Sequence, residues 1–309
     1  MYKTLLKRLL LFCAPVIVIL IIGEIMARSL PNAIIYKENW LKQNGNKVQT
    51  LILGTSATYY GINPNMIDSC FNAANASQGL EYDYYLLKRY INYCPNLKTV
   101  IIPVDFTNLF QQELETSDTD RGRAISYNIY QGYPKHSSFS RYSFEILNPT
   151  SFNQKIIKNL KLLIRNGSIN FDCDSLGWAL TSPTGKEKSE TMTLKAAKKI
   201  ADRTKYSEKE LNRNLGYLNG IVDLCDKNDY KLIMIVCPRY KYFLIGVDEA
   251  RKTKAHAILT SYIQRNCLIK DYSNEESIIN NLDFFWDPNH LNFTGSNAFT
   301  NLLKKDFNL

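Results

Sequence analysis

Residues 48–56 read VQTLILGTS. An apolar run of this length that ends on glycine predicts a short, fully buried strand. Working outward, NPNMIDSC (63–70) suggests a short helix, and FNAANASQG (71–79) a second strand running into a loop. LEYDYYLLKRYINYC (80–94) has helical spacing and is closed by Pro95, and LKTVIIPVDF (97–106) is a third buried strand. Strands alternating with helices imply parallel βαβ units and a sheet covered on both faces. The alternation lapses over 107–190, which is polar and aromatic with one helical stretch at 152–166, and this predicts an insertion, a lid or a small subdomain. From about 193 it returns, with a helical stretch to 228, a strand at 230–238, a helix at 247–266, a strand at 267–273 and a closing helix at 294–307. The order predicts an α/β fold with a flavodoxin-like, doubly wound parallel sheet of five strands. Ligands of such sheets bind at the carboxyl ends of the strands.

The N-terminus is expected to stand apart from this fold. After Lys3, Lys7 and Arg8 comes LLLFCAPVIVILIIGEIMA (9–27), apolar except for Glu24. Nineteen helical residues rise about 28 Å, close to the thickness of a bilayer's hydrocarbon core. Glu24 lies near the far end, where it can reach the interface, and Pro15 is tolerable in lipid. A cleaved signal peptide is the alternative, but IMARSL offers a poor cleavage site. We therefore read residues 1–28 as a cytoplasmic tip and an uncleaved signal-anchor, 29–47 as a polar connector, and 48–309 as an outward-facing α/β domain.

Outside the span the chain remains basic. Removing Lys3, Lys7, Arg8, Arg28 and Glu24 takes the formal charge from +9 to +6. An outward location argues against nucleic acid and favours anionic headgroups or an acidic envelope polymer, with a plain solvated surface as the default. Six of the seven cysteines lie outside the span. An even count permits disulfides in an oxidising compartment, although Cys94, Cys225 and Cys237 fall in apolar runs that look like ordinary core. No spacing suggests zinc, and no metal or cofactor is implied.

The chemistry is expected in two loops at one sheet edge. Gly54 allows a tight turn after the first strand, and a hydroxyl beyond it can meet the N–H groups of the next helix turn. The plain alternative is that Thr55 or Ser56 only caps a short helix. Near the other end, FFWDPNHLNFTGSNAF (284–299) holds one of only three histidines in the chain. Asp287 and His290 are three residues apart around Pro288, so one turn can present both. A serine hydroxyl needs a base within reach, and a carboxylate on the base's other nitrogen fixes its tautomer. His136, in the polar insertion, and His256, in a charged helix, are poorer candidates.

This combination resembles the SGNH/GDSL hydrolase superfamily. Gly54-Thr55-Ser56 matches its Gly-Asp-Ser block after strand one, and Asp287-Pro288-Asn289-His290 matches its Asp-x-x-His block before the last helix. The continuation HLNFTGSNAF is similar to membrane-anchored extracytoplasmic members, among them the D-alanine transfer protein and the alginate O-acetyltransferase-like proteins. The resemblance covers roughly 48–106 and 230–305. It implies a serine esterase or O-acyltransferase in which Ser56 attacks, His290 moves the proton and Asp287 orients His290. The middle blocks depart from the pattern. For the glycine donor of the oxyanion hole the chain offers Gly79, or the backbone around Ala74 and Asn75. Where the family presents an asparagine after strand three the chain has Asp105, with Asn108 three residues later, and a carboxylate cannot donate unless protonated. The implied partners are the membrane, a carbohydrate or acidic polymer, and a multi-pass membrane acyltransferase. The competing reading is a non-catalytic relative that binds glycan or assists assembly.

Overall fold

The computed structural model describes residues 2–117, 120–133, 135, 140–148, 161–165, 172–180, 194–201, 207–265 and 267–309. The chain divides into two compact units. One comprises Met1–Glu38 and Leu114–Phe171, the other Asn39–Glu113 and Asp172–Leu309. The stretch expected as one insertion over 107–190 is thus shared between them. His136 and most of the helix expected at 152–166 lie outside the described residues, and 161–165 are helical.

The first unit contains α1 (Tyr2–Ser29), the start of α2 (Ala33–Asn44), and α6 (Arg121–Gln131). Within α1, Lys7–Ser29 is long and apolar enough to cross a membrane, with a mean hydropathy of 2.8 over its most apolar stretch. Its one acid has a definite task. The Glu24 carboxylate accepts the N–H groups of Glu145 and Ile146 at 3.0 and 2.9 Å and pairs with Arg28 at 2.6 Å. It thereby caps the short turn Glu145–Leu147, whose first N–H groups have no partner of their own.

The second unit is built on β1 (Thr50–Ile52), α3 (Ser56–Gly61), β2 (Cys70–Asn72), α4 (Leu80–Tyr90), β3 (Thr99–Pro103) and α5 (Phe106–Leu109). It continues with α7 (Leu194–Ala201), α8 (Glu208–Lys227), β4 (Lys231–Val236), α9 (Lys241–Ile245), α10 (Glu249–Ser261) and β5 (Leu268–Asp271). It ends with α11 (Glu276–Ile279), β6 (Phe285–Asp287), β7 (His290–Leu291) and α12 (Phe293–Phe307). The sheet is parallel throughout in the order β2-β1-β3-β4-β5, with Leu51 opposite both Phe71 and Val100, and Ile101 opposite Ile233. The direction of winding reverses between β1 and β3, which opens the crevice where such sheets bind ligands.

The central strands are apolar on both faces because helices cover both. Leu51, Ile52, Val100, Ile101, Ile233 and Ile235 are all fully buried. β1 is only three residues long because Gly54 turns it at φ +113°, and any side chain there would strike the Pro103 ring. The closing helix α12 packs Phe299 and Leu303 into the same core as Ile52 and Ile235. Burial of each such side chain stabilises the fold by about 1.5–3 kcal/mol.

One local expectation changes and two gain detail. The helical stretch expected from about 193 to 228 is two helices, because Ser207 accepts the Glu210 N–H at 3.3 Å and starts α8 afresh. The expected Asp-Pro-Asn-His turn is the tip of a small antiparallel hairpin, β6–β7. No disulfide joins any two of the cysteines, and burial pushes Cys94 and Cys237 up to about 12, far from a reactive thiolate, in keeping with the apolar runs that hold them.

Candidate active site

The loop after β1 separates the two candidate hydroxyls, Thr55 and Ser56. Thr55 is the N-cap of α3 and its Oγ1 accepts the Ala57 N–H at 3.2 Å, while Thr58 Oγ1 donates to Leu53 O at 2.9 Å. Ser56 is therefore the first helical residue, and its hydroxyl is not spent on capping. It stands 2.8 Å from His290 Nε2. The Ser56 N–H also has no carbonyl four residues back within the helix, so it points out of the turn as an open donor.

The histidine is set by the hairpin. Asp287 Oδ1 accepts the N–H groups of Asn289 and His290 at 2.7 and 2.9 Å, which ties the two-residue turn to its own carboxylate. Asp287 Oδ2 lies 2.8 Å from His290 Nδ1. Burial pushes the Asp287 carboxyl up, but the adjacent His290 and the two N–H donors outweigh it and hold the group below the ordinary carboxylate range. An ionised carboxylate only accepts, so Nδ1 carries the proton and Nε2 is left to accept from Ser56. Tyr60 and Trp286 pack beside the His290 ring at centroid distances of 5.3 Å each. Asn292 caps α12 by accepting the Gly295 N–H at 3.0 Å, and a side chain at Gly295 would collide with Phe284 O. That close approach is the local reason for LNFTG after the histidine.

The remaining expected residues support this arrangement from behind. The Asn75 N–H bonds Gly54 O at 3.1 Å, which fastens the loop after β2 to the loop after β1. Asn75 Nδ2 donates to Gln78 Oε1 at 3.1 Å, and Gly79 is the N-cap residue of α4. Asp105 and Asn108 do not bond to the triad. They close a capping box around α5, with the Asp105 N–H on Asn108 Oδ1 at 2.9 Å and Asn108 Nδ2 on Pro103 O. Asp105 is also paired with Arg239 Nη2 at 2.8 Å. Although burial pushes Asp105 up, Arg239 and the Thr107 hydrogen bonds hold it below the ordinary range, so it stays an acceptor and cannot donate to an oxyanion.

Two residues escaped the sequence reading. Arg239 follows β4 and is 1% exposed, with Nε on Asn289 Oδ1 at 2.7 Å. Asp83, fully buried in α4, accepts the Gly54 N–H at 2.8 Å and Gln78 Nε2 at 2.7 Å. Burial pushes Asp83 up to about 7, only partly offset by these two bonds, and its Oδ2 has no partner among the described residues. The available signal was an aspartate at 83 on the face that Leu80 and Leu87 share, where a helix of this kind turns to the core. A cavity of about 430 Å³ opens at the carboxyl ends of β3, β4 and β5, and its lining includes Asp105, Lys252, His256 and Asp271 but not Ser56, Asp287 or His290.

The sequence matches no protein-family model and no curated protein. Among solved structures, a protein designated an acylhydrolase from Bacteroides fragilis is similar at 12% identity and a TM-score of 0.44, covering 88% of this chain and 95% of that one. A GDSL-like lipase from Bacteroides thetaiotaomicron is similar at 8% identity and a TM-score of 0.41, covering 88% and 97%. At these values neither likeness bears on the activity of this chain.

Proposed function

We propose that this protein is a membrane-anchored serine esterase or O-acyltransferase of SGNH/GDSL type that modifies a cell-envelope or exported polysaccharide. The carrying observation is the unbroken line from Ser56 Oγ to His290 Nε2 and from His290 Nδ1 to Asp287, 2.8 Å at each step. Ser56 attacks an acyl carbonyl while its proton passes to Nε2. The leaving oxygen departs with that proton, and water or a sugar hydroxyl releases the acyl group by the reverse sequence. The open Ser56 N–H is one donor for the tetrahedral oxyanion, and the 74–79 loop, tied to Gly54 through Asn75, is the place for a second. Tyr60 and Trp286 beside His290 offer flat apolar faces suited to a sugar ring.

The branch containing the D-alanine transfer and alginate O-acetyltransferase-like proteins is the one the HLNFTG extension favours. In it, a multi-pass membrane acyltransferase would be the partner that supplies the acyl group. The cations at Lys3, Lys7 and Arg8 orient the span with the N-terminus in the cytoplasm and the sheet unit outside. A reporter fused after Leu309 is then active only outside the cytoplasm, and cytoplasmic activity would overturn the localisation. Asp105 in place of an asparagine favours a second reading, a non-catalytic glycan-binding relative.

A fluorophosphonate probe separates the two. The full-length protein in detergent labels at Ser56 under the first reading and never labels under the second. Ser56→Ala or His290→Ala lowers acyl turnover by about 10⁴-fold, and the double variant loses little more because triad members act as a unit. Full turnover in Ser56→Ala would leave Ser56 as a loop residue and nothing more.

A further inference from the structure

We infer that the side-chain amide of Asn289 is a catalytic N–H donor to the leaving-group oxygen, held in that orientation by Arg239 as a positioning residue. The inference rests on the serine reading above. Its starting point is the direction of one amide. Arg239 is a donor only, so the 2.7 Å contact from its Nε identifies the Asn289 end it touches as the carbonyl oxygen. The NH₂ end must then face His290, and Nδ2 stands 3.2 Å from Nε2.

Arg239 has little freedom to release that grip. Its Nη2 donates to Asp105 Oδ2 at 2.8 Å and to Thr107 Oγ1 at 3.2 Å, and its guanidinium lies 5.2 and 5.4 Å from the Phe106 and Phe243 rings. The Tyr240 N–H, next along the chain, holds Pro288 O at 3.0 Å. The hairpin tip is thus clamped to the end of β4 on both sides of Asn289.

The resting histidine has no use for this second donor. Nε2 has one in-plane lone pair, and the Ser56 hydroxyl already takes it at the shorter distance of 2.8 Å. Once Nε2 has gained the serine proton it becomes a donor itself, and the ring then offers the amide beside it no acceptor. An oxygen gaining negative charge next to Nε2 satisfies both. That oxygen is the leaving alkoxide: its bond to the acyl carbon breaks, the electron pair stays on oxygen, and Nε2 returns the proton to it. In the second half-reaction the incoming hydroxyl occupies the same place, loses its proton to Nε2, and bonds the acyl carbon as the Ser56 ester breaks, its electron pair staying on Ser56 Oγ, which takes the proton back from Nε2. Asn289 donates in both halves.

The test compares two acetate esters on the full-length protein in detergent, an alkyl acetate and para-nitrophenyl acetate, through kcat/KM, which reads acylation alone. Asn289→Asp keeps the shape and an acceptor for Arg239 but removes the N–H, and Asn289→Ala removes both. In both variants the alkyl ester loses about 100-fold, as when one donor to developing charge is deleted. The para-nitrophenyl ester, whose phenolate leaves with little help, changes by less than about threefold by the same reasoning on transition-state charge. Equal losses on the two esters, or none on either, would overturn the inference while Ser56 still labels with fluorophosphonate. A wild-type protein that neither labels nor cleaves either ester sinks the serine reading, and this inference falls with it.

Discussion

Asp83 and Asp105 sit in comparable places and meet opposite fates. Both belong to the sheet unit, both are at most 2% exposed, and both receive hydrogen bonds from residues at the strand ends. Asp105 has the Arg239 guanidinium at 2.8 Å and is held ionised below the ordinary range. Among the described residues Asp83 has a backbone N–H and the neutral amide of Gln78 as partners, and burial pushes it up to about 7. Burial alone therefore does not decide the charge of an interior carboxyl; the presence of a cation does. The two groups bracket the candidate site. The Asp105–Arg239 pair supports the histidine hairpin through Asn289, and Asp83 supports the loop after β1 through Gly54.

The comparison can be broken most forcefully at Arg239. Arg239→Met leaves Asp105 as a buried charge without its cation, and the expected loss of stability is about 3–5 kcal/mol. Replacing both partners, as Arg239→Met with Asp105→Asn, recovers most of that loss, since the uncompensated charge is gone. Chemical denaturation of the purified proteins at pH 7 measures both. Asp105 has a lowered folded pKa, so its contribution in the wild type is present above the unfolded value and lost as pH falls through the folded one. The deficit of the single variant consequently narrows on acidification. A deficit independent of pH would mean that Arg239 acts through packing rather than charge.

A smaller effect with the reverse sign is expected at Asp83. Its folded pKa is raised, so between about pH 4 and 7 the folded state holds a proton that the unfolded state has released. Stability contributed by Asp83 is complete at acid pH and declines as pH rises through about 7. The decline amounts to at most about 4 kcal/mol. Asp83→Asn keeps an oxygen for Gly54 and Gln78 but cannot ionise, so its denaturation midpoint should vary less between pH 5 and 8 than that of the wild type. An unchanged slope would place the titration elsewhere and remove the contrast with Asp105.

The two carboxylates also mark the line between local and long-range information. Sequence alone determined the strand runs around Ile52, Ile101 and Ile233, because burial on both faces demands continuous apolar residues whatever the neighbours are. It also singled out Ser56, Asp287 and His290, because a glycine turn after a strand and an Asp-x-x-His turn before a helix are complete within a few residues. Tertiary structure decided what those residues touch. Ser56 is free because Thr55 takes the cap, and the two differ by one position in a loop that reads equally well either way. Asp105 is a structural anion because Arg239, 134 residues later, lies against it. Asp83 is pushed up by burial with no cation beside it among the described residues, a fact about packing that spacing does not carry. Asn289 faces His290 with its nitrogen because a guanidinium from another strand end holds its oxygen. Periodicity and turn chemistry act over a few residues, whereas the charge and orientation of a buried polar group depend on whichever residue the fold brings next to it.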